Sequence, residues 1–248
     1  MIGAAPEGSQ DQASAARAVR EMFTSIAPRY DVLNHVLSFN VDRMWWSRAA
    51  GTFSHILTRS DARVLDLCCG TGDMTFALRR RARKSAPTIL GADFSHAMLQ
   101  RATAKSVSGN ASAPGWIEAD ALTLPLPDSN FDLVTSAFGF RNLADYDAGL
   151  REIARVLRPA GECGILDFGE PKGMMGSLYR IYFKQVLPRI GTMISGVKGP
   201  YAYLPASVQR FPEPAEMLTR MKVAGFAEAT WTPYTFGIAG LYRGKKAA

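Results

Sequence analysis

The sequence predicts an α/β domain, a mostly parallel sheet with helices on both faces. Three observations carry that prediction. From Arg63 to about Phe168, β-type apolar runs alternate with helical patterns. The first run, Arg63-Val-Leu-Asp-Leu67, leads into a turn carrying Gly70 and Gly72 and then a helical pattern from Met74. Glycine there lets a ligand lie against the backbone, because no Cβ holds it off. Asp93 closes the next run, about twenty residues past the glycines, the spacing at which a nucleotide-fold carboxylate grips ribose hydroxyls.

The elements follow in order. Met1 to about Gln12 is rich in Gly, Ala and Gln without apolar periodicity and is expected to lack order. It has neither the basic start nor the apolar core of a secretory signal. The rest, 13–248, reads as a single domain. Ala13–Ser25 and Val41–Leu57 are expected helices separated by Pro28, so residues 13–58 form a helical entry to the sheet. Strands are expected at Arg63–Leu67, Thr88–Ala92, Gly115–Glu118, Phe131–Ser136 and Glu162–Phe168, and helices at Asp73–Arg83, Ala97–Lys105 and Asp145–Leu157. The last helix stops before Pro159 and Gly161. After Pro171 the alternation breaks, and about 172–212 reads as an amphipathic insertion covering a substrate pocket. Pro212–Ala224 supplies a helix ended by Gly225, and Ala227–Pro233 with Phe236–Arg243 makes a terminal hairpin.

Composition narrows the class. Of 248 residues, 47% are hydrophobic, enough for a sizeable core, and no run approaches a membrane span. The three cysteines, Cys68, Cys69 and Cys163, have neither metal-ligand nor disulfide-framework spacing, so they read as reduced thiols of a cytoplasmic protein and no metal is expected. The net charge of +7 fits nucleic acid, an anionic membrane surface, or plain solubility. The one basic cluster, Arg79–Lys84, sits at a helix end where cations offset the dipole, and no base-reading motif appears, so nucleic acid is not expected.

The turn's details choose its ligand. A dinucleotide fingerprint wants a third glycine where Thr75 stands, and no Gly-Lys-Ser/Thr P-loop exists. Asp66 and Asp73 beside the turn disfavour phosphate and favour a cationic sulfonium with an amino-acid tail, S-adenosylmethionine. Asp93 would then hold the ribose, or else cap the helix starting at Ser95. Asp120 and Ala121, after the third strand, could receive an adenine ring, or form an ordinary surface turn.

Other segments bear on a substrate. Tyr30–Trp45 mixes Asp31, Asn34 and His35 with aromatics, as on the rim of a pocket for a ring-shaped molecule, or as a packed helix pair. Phe138-Gly-Phe-Arg-Asn142 follows the fourth strand, at the edge where substrates of such folds lie. Arg141 and Asn142 could hold a phenolate oxygen, or Arg141 could pair with an acid such as Asp145. Tyr201 and Tyr203, with a proline turn, could form a lid wall. The insertion before them could open a channel for a greasy tail, touch a bilayer surface, or make an oligomer interface.

At these residues the chain resembles the menaquinone/ubiquinone biosynthesis C-methyltransferase family (UbiE type), from Phe23 to Arg243. Tyr30–Trp45, Val64–Asp73, Phe138–Asn142, Arg155–Pro159 with Asp167–Pro171, Tyr201–Pro212 and Gly237–Gly244 carry the resemblance. It implies a class I, Rossmann-like S-adenosylmethionine-dependent methyltransferase fold: seven strands, mostly parallel, the last antiparallel. It also implies methyl transfer to a ring carbon of a polyprenylated quinol, demethylmenaquinol first and a methoxy-benzoquinol of ubiquinone biosynthesis as the alternative. The expected place is the cytoplasm, with a peripheral position at the inner face of the membrane as the option the insertion opens. RNA methylation or a non-catalytic interaction role are the distant alternatives. Motif match makes Thr71, Asp93, Asp120 and Ala121 cofactor contacts. Departures are Cys68 at a common first glycine, Ala137 for a serine near the cofactor, and Ala160 for a glycine.

Overall fold

A computed structural model of the chain describes residues 3, 4, 6, 8–31, 38, 40–82, 85–106, 113–171, 176 and 200–248; the side chains of 29 and 200–202 fall outside that description. Among the described residues, seven strands form one sheet in the order β3-β2-β1-β4-β5-β7-β6. They are β1 (Arg63–Leu67), β2 (Thr88–Asp93), β3 (Gly115–Glu118), β4 (Phe131–Ala137), β5 (Leu157–Phe168), β6 (Phe226–Tyr234) and β7 (Ala239–Lys246). Pairings from β3 through β5 are parallel, while β7 runs antiparallel to both β5 and β6. The order reverses between β2-β1 and β4, the switch point outside whose carboxyl ends ligands of open α/β sheets bind.

Eight α-helices accompany the sheet among the described residues: α1 (Gln12–Ile26), α2 (Val41–Thr52), α3 (Ser54–Leu57), α4 (Asp73–Ala82), α5 (His96–Ser106), α6 (Tyr146–Val156), α7 (Pro200–Arg210) and α8 (Pro214–Val223). Local chemistry sets their ends. Asp11 and Ser14 close a capping box on α1, and the Asp145 carboxylate accepts from the Ala148 N–H at α6. Pro214 starts α8, and Gly225, at φ +102, follows its last turn.

The central strands are buried on both sides, and alternation along them sorts the core. Val64, Leu133 and Leu166 pack with Trp45, Phe53 and Leu78 on one face; Leu65, Val134 and Ile165 pack with Tyr146, Leu150 and Met217 on the other. The two layers bracket the sheet and leave its carboxyl edge open for a site.

Three expectations need correction. The single helix foreseen over Val41–Leu57 is two, because Phe53, at φ −100 and fully buried in the core, interrupts it. Strand β5 starts at Leu157 rather than Glu162: Leu157 pairs with Phe131, the register then shifts, and regular pairing resumes at Glu162. Ala160 sits in that irregularity at φ +59, a conformation glycine would adopt without strain. The proline turn expected within Tyr201–Pro212 is the helix α7 with Pro205 inside it. Tyr203, Leu204, Ser207, Val208 and Phe211 make a helical stripe whose burial outweighs the local cost of proline. Ahead of α1, in the stretch expected to lack order, Ala4 is buried and donates its N–H to Leu143 O at 2.7 Å.

Candidate active site

The turn after β1 fixes the site. Gly70 and Gly72 hold φ +55 and +90, the left-handed region that glycine enters freely. The Gly70 N–H donates to Asp93 Oδ2 at 2.8 Å, and Asp93 Oδ1 accepts from Ser95 N at 2.9 Å. One carboxylate thus ties the ends of β1 and β2 together and also anchors the start of α5. Burial pushes Asp93 up to about 6, against the pull of these N–H donors. Cys68 also stands in the left-handed region, at φ +54, which accounts for glycine being common there. The cysteines are free thiols, and burial raises all three.

Asp66, fully buried, accepts from the hydroxyls of Thr75 and, at 2.8 Å, Thr135. Burial raises it to about 6 while both hydroxyls pull it down. Thr71 is buried too; its hydroxyl donates to Asp31 Oδ1 at 2.5 Å and accepts from Lys105 Nζ at 2.9 Å. The same ammonium reaches Asp31 Oδ2 at 2.8 Å and Asp73 Oδ1 at 3.2 Å, so its three protons meet three acceptors. This knot fastens the segment after α1 onto the glycine turn.

A cavity of about 400 Å³ opens over these strand ends. One side is acidic, with Asp66, Gly70, Asp73, Asp93, Asp120 and Ala121 on the wall. The other is aromatic: Trp45, Phe138 and Phe168 converge with ring centroids 4.6 to 6.2 Å apart. Tyr30, Arg141 and Asn142 also line it. Thr71, Gly72, Asp31 and Tyr203 are not among the lining residues; Thr71 and Asp31 belong to the Lys105 knot behind the wall. Asn34 and His35 lie outside the described residues, as does the side chain of Tyr201.

Arg141 is held differently from the pairing with Asp145 foreseen as one option. Its Nη1 donates to Asp167 Oδ1 at 2.7 Å and to the Phe138 carbonyl, its backbone N–H donates to Asp167 Oδ2 at 3.1 Å, and its guanidinium lies over the Phe168 ring. Asp145 is occupied capping α6. The pair is buried, 6% and 0% exposed, so little water reaches it. Among the buried polar atoms that find no hydrogen-bond partner among the described residues are Arg141 Nε, Asn142 Oδ1 and Tyr203 Oη, the first two on residues that line the cavity. Such atoms cost free energy unless a ligand or water meets them. Burial also pushes the Tyr203 hydroxyl up to about 12.

Sequence reasoning missed several parts of this wall. Asp42, buried on the cavity side of α2, lay within the segment read as a pocket rim or a packed helix pair, without an assigned role. Asp167 and Phe168, at the end of β5, lay in a resembling segment without an assigned role. Thr235 and Ile238 enter from the β6–β7 connection. Only the apolar-then-acid ending of β5 could have pointed to Asp167.

The donor set fits S-adenosylmethionine: a turn free of Cβ, an inward ribose-type carboxylate, and an acidic wall that would repel phosphate. Comparison with known proteins agrees. Residues 10–246 match the ubiE/COQ5 methyltransferase family. A demethylmenaquinone methyltransferase of Deinococcus radiodurans is 48% identical over 237 residues, 95% of each chain. One from Thermus thermophilus is 45% identical, covering 91% of this chain and all of its own. A ubiquinone/menaquinone biosynthesis C-methyltransferase UbiE of Geobacter sulfurreducens is 41% identical, over 92% and 88%. A Thermotoga maritima crystal structure described as an S-adenosylmethionine-dependent methyltransferase, possibly acting on histamine nitrogen, superposes with a TM-score of 0.63 over 92% of this chain and 99% of its own. At 17% identity it shows the fold alone. The chain belongs to the ubiE/COQ5 methyltransferase family.

Proposed function

We propose that this protein is the C-methyltransferase that converts demethylmenaquinol to menaquinol, with S-adenosylmethionine as donor, and that it works as a protein peripheral to the membrane that carries the quinol. One observation supports this reading above the rest: an acidic, glycine-lined wall and an aromatic wall share one cavity, with orphaned polar atoms at Arg141 and Asn142. The relatives' names agree with the assignment. Methylation of a methoxy-benzoquinol is the second reading, favoured by the double name of the UbiE relatives.

Gly70, Asp93, Asp120 and Ala121 would hold the cofactor, with Asp73 beside its amino-acid end and Thr71 bracing the turn through Asp31 and Lys105. Bound there, the cofactor supplies an electrophilic sulfonium methyl. The chain's own task is to make a ring carbon nucleophilic and aim it. A flat quinol ring fits against Trp45, Phe138 and Phe168, whose faces exclude water and fix its plane. Passing the proton of one ring hydroxyl to water pushes electron density onto the adjacent carbon. Arg141 Nε is a buried donor suited to the phenolate oxygen. Because Asp167 already balances the guanidinium charge, Arg141 acts as an oriented donor rather than a free cation or a base. Asn142 Oδ1, an acceptor, can orient a water or a proton-bearing hydroxyl. Once that carbon carries its new methyl, its ring proton passes to water and aromaticity is restored.

The test is to incubate the purified protein with methyl-labelled S-adenosylmethionine and either demethylmenaquinol or the methoxy-benzoquinol. Label on the naphthoquinol ring carbon is expected. Label only on the benzoquinol would move the assignment to the second reading, and label on neither would end it.

A further inference from the structure

The connection between β6 and β7 is built at a cost that folding does not explain. Thr235 and Phe236 hold φ +46 and +57 in succession, a left-handed pair in which neither residue is glycine and one is β-branched. Strain of this kind persists where surrounding contacts enforce it, and it clusters at functional sites. The enforcing contact is a hydrogen bond in which Trp45 Nε1 donates to Thr235 Oγ1 at 2.8 Å. The result is to push the Phe236 ring outward, 77% exposed, while its neighbours Thr235 and Ile238 line the cavity.

Helix α2 repeats the pattern opposite. Val41, Met44, Trp45 and Arg48 share one face at i, i+3, i+4 and i+7. Val41 and Trp45 line the cavity, Met44 is 54% exposed, and the Arg48 guanidinium lies 4.2 Å from the Tyr234 ring centroid. Two of the three large apolar side chains exposed among the described residues thus sit one position from each partner of the Trp45–Thr235 bond. The third, Val223 on α8, stands apart and needs no explanation. Among the described residues, Arg43 and Arg48 flank the pair as exposed cations, and the exposed carboxylate of Glu170 follows Gly169, whose N–H donates to Ile238 O.

We propose that Met44 and Phe236 form the lip that this protein sets into an anionic lipid surface, with Arg43 and Arg48 against the headgroups, so that the prenyl tail enters the cavity between α2 and the 235–237 turn. The proposal rests on the quinol reading above. Apolar tips to insert, cations beside them, and an apolar cavity directly behind are what an interfacial anchor needs. The excess of cations over anions selects a lipid surface over a second, equally basic copy of this chain.

The experiment uses the full chain and the variants Met44→Ser, Phe236→Ser and the double. Co-sedimentation is measured with vesicles of phosphatidylcholine alone and of phosphatidylcholine mixed with phosphatidylglycerol. The wild type is expected to sediment with the mixed vesicles, and the double variant to bind them at least about tenfold more weakly, given what burying a Phe and a Met side chain contributes. Its turnover of a long-tailed, vesicle-borne quinol should fall in parallel, while turnover of a tail-less, water-soluble quinol and its melting temperature stay at wild-type values. Equal sedimentation of wild type and double variant overturns the proposal, as does a wild type that ignores anionic vesicles. A wild-type dimer that the double variant dissolves, seen by light scattering, assigns the lip to a second copy and also overturns it. Should no quinol be methylated, the reaction assignment fails on its own, and the sedimentation arm still decides the lip.

Discussion

The Thr75 hydroxyl donates to the carboxylate of Asp66, which lies fully buried at the centre of the sheet. Thr75 occupies the place where a dinucleotide fold has a third glycine for close helix-to-strand packing. Here that contact is a hydrogen bond between α4 and β1, completed from β4 by Thr135. The departure from the dinucleotide pattern and the acidity of the site therefore have one cause: a central carboxylate that needs hydroxyl partners.

Removing either hydroxyl is expected to destabilise the domain. Thr75→Ala or Thr135→Val leaves part of a buried carboxylate unsatisfied, a loss of about 1–3 kcal/mol. Burial has already raised Asp66 to about 6, and both hydroxyls oppose that rise, so each substitution drives it further up. The penalty falls on the ionised form. Urea unfolding should show it larger at pH 8 than at pH 5, and Thr75→Ser should restore most of it.

Acidification should weaken cofactor binding through Asp93. Its folded value is about 6, against an ordinary 3.8, so the folded protein holds this proton more tightly than the unfolded chain does. That stabilisation is complete below 3.8 and is lost as pH rises through about 6. Ribose hydroxyls, by contrast, need the ionised acceptor. Calorimetry with S-adenosylhomocysteine should give affinities falling as pH drops from 7 to 5, with Asp93→Asn weak at both ends and nearly flat.

Gly139 carries no Cβ because Cys68 occupies the space. A Cβ built there would lie 2.4 Å from Cys68 Cβ and 3.1 Å from its carbonyl oxygen. Both turns have backbone fixed in the left-handed region, Cys68 at φ +54 and Phe138 at φ +57, so neither can retreat cheaply. Gly139→Ala is expected to cost about 1–3 kcal/mol by overpacking and to weaken S-adenosylhomocysteine binding. Thermal unfolding with and without that ligand measures both effects.

What the residues revealed and what they hid follow one physical division. The glycine turn, the carboxylate at position 93 and the strand positions around them were legible because positive φ and strand-end position restrict residue type locally. The Arg141–Asp167 pair is separated by 26 residues, the Thr71–Asp31 bond by 40, and the Trp45–Thr235 bond by 190. No local pattern announces a partner at such distances. Hence Arg141 was found and its counter-ion was not, and the aromatic wall was seen as three unrelated segments. Proline misled the reading of α7, where a stripe ending at Phe211 prevailed over a local breaker.

Arg141 and Asp167 allow structure and chemistry to be separated. Asp167→Asn strands a buried guanidinium, with a stability loss of about 3–5 kcal/mol, and any fall in turnover there has two causes. Replacing both partners, Arg141→Met with Asp167→Leu, removes the pair without leaving an uncompensated charge, and stability is expected to recover part of the loss, the remainder being the backbone N–H groups of residues 141 and 168 that Asp167 accepts. Turnover should not recover, because the Arg141 side chain that lines the cavity, with its unpartnered Nε donor, is gone; losing one such donor costs about 10²–10³ in kcat. S-adenosylhomocysteine affinity should hold near wild type in the double variant, since its contacts lie on the acidic wall. Measured together, melting temperature, ligand affinity and kcat then distinguish the roles. A double variant that is stable, binds the ligand and still turns over quinol at the wild-type rate would remove Arg141 from the reaction and leave it a purely structural cation.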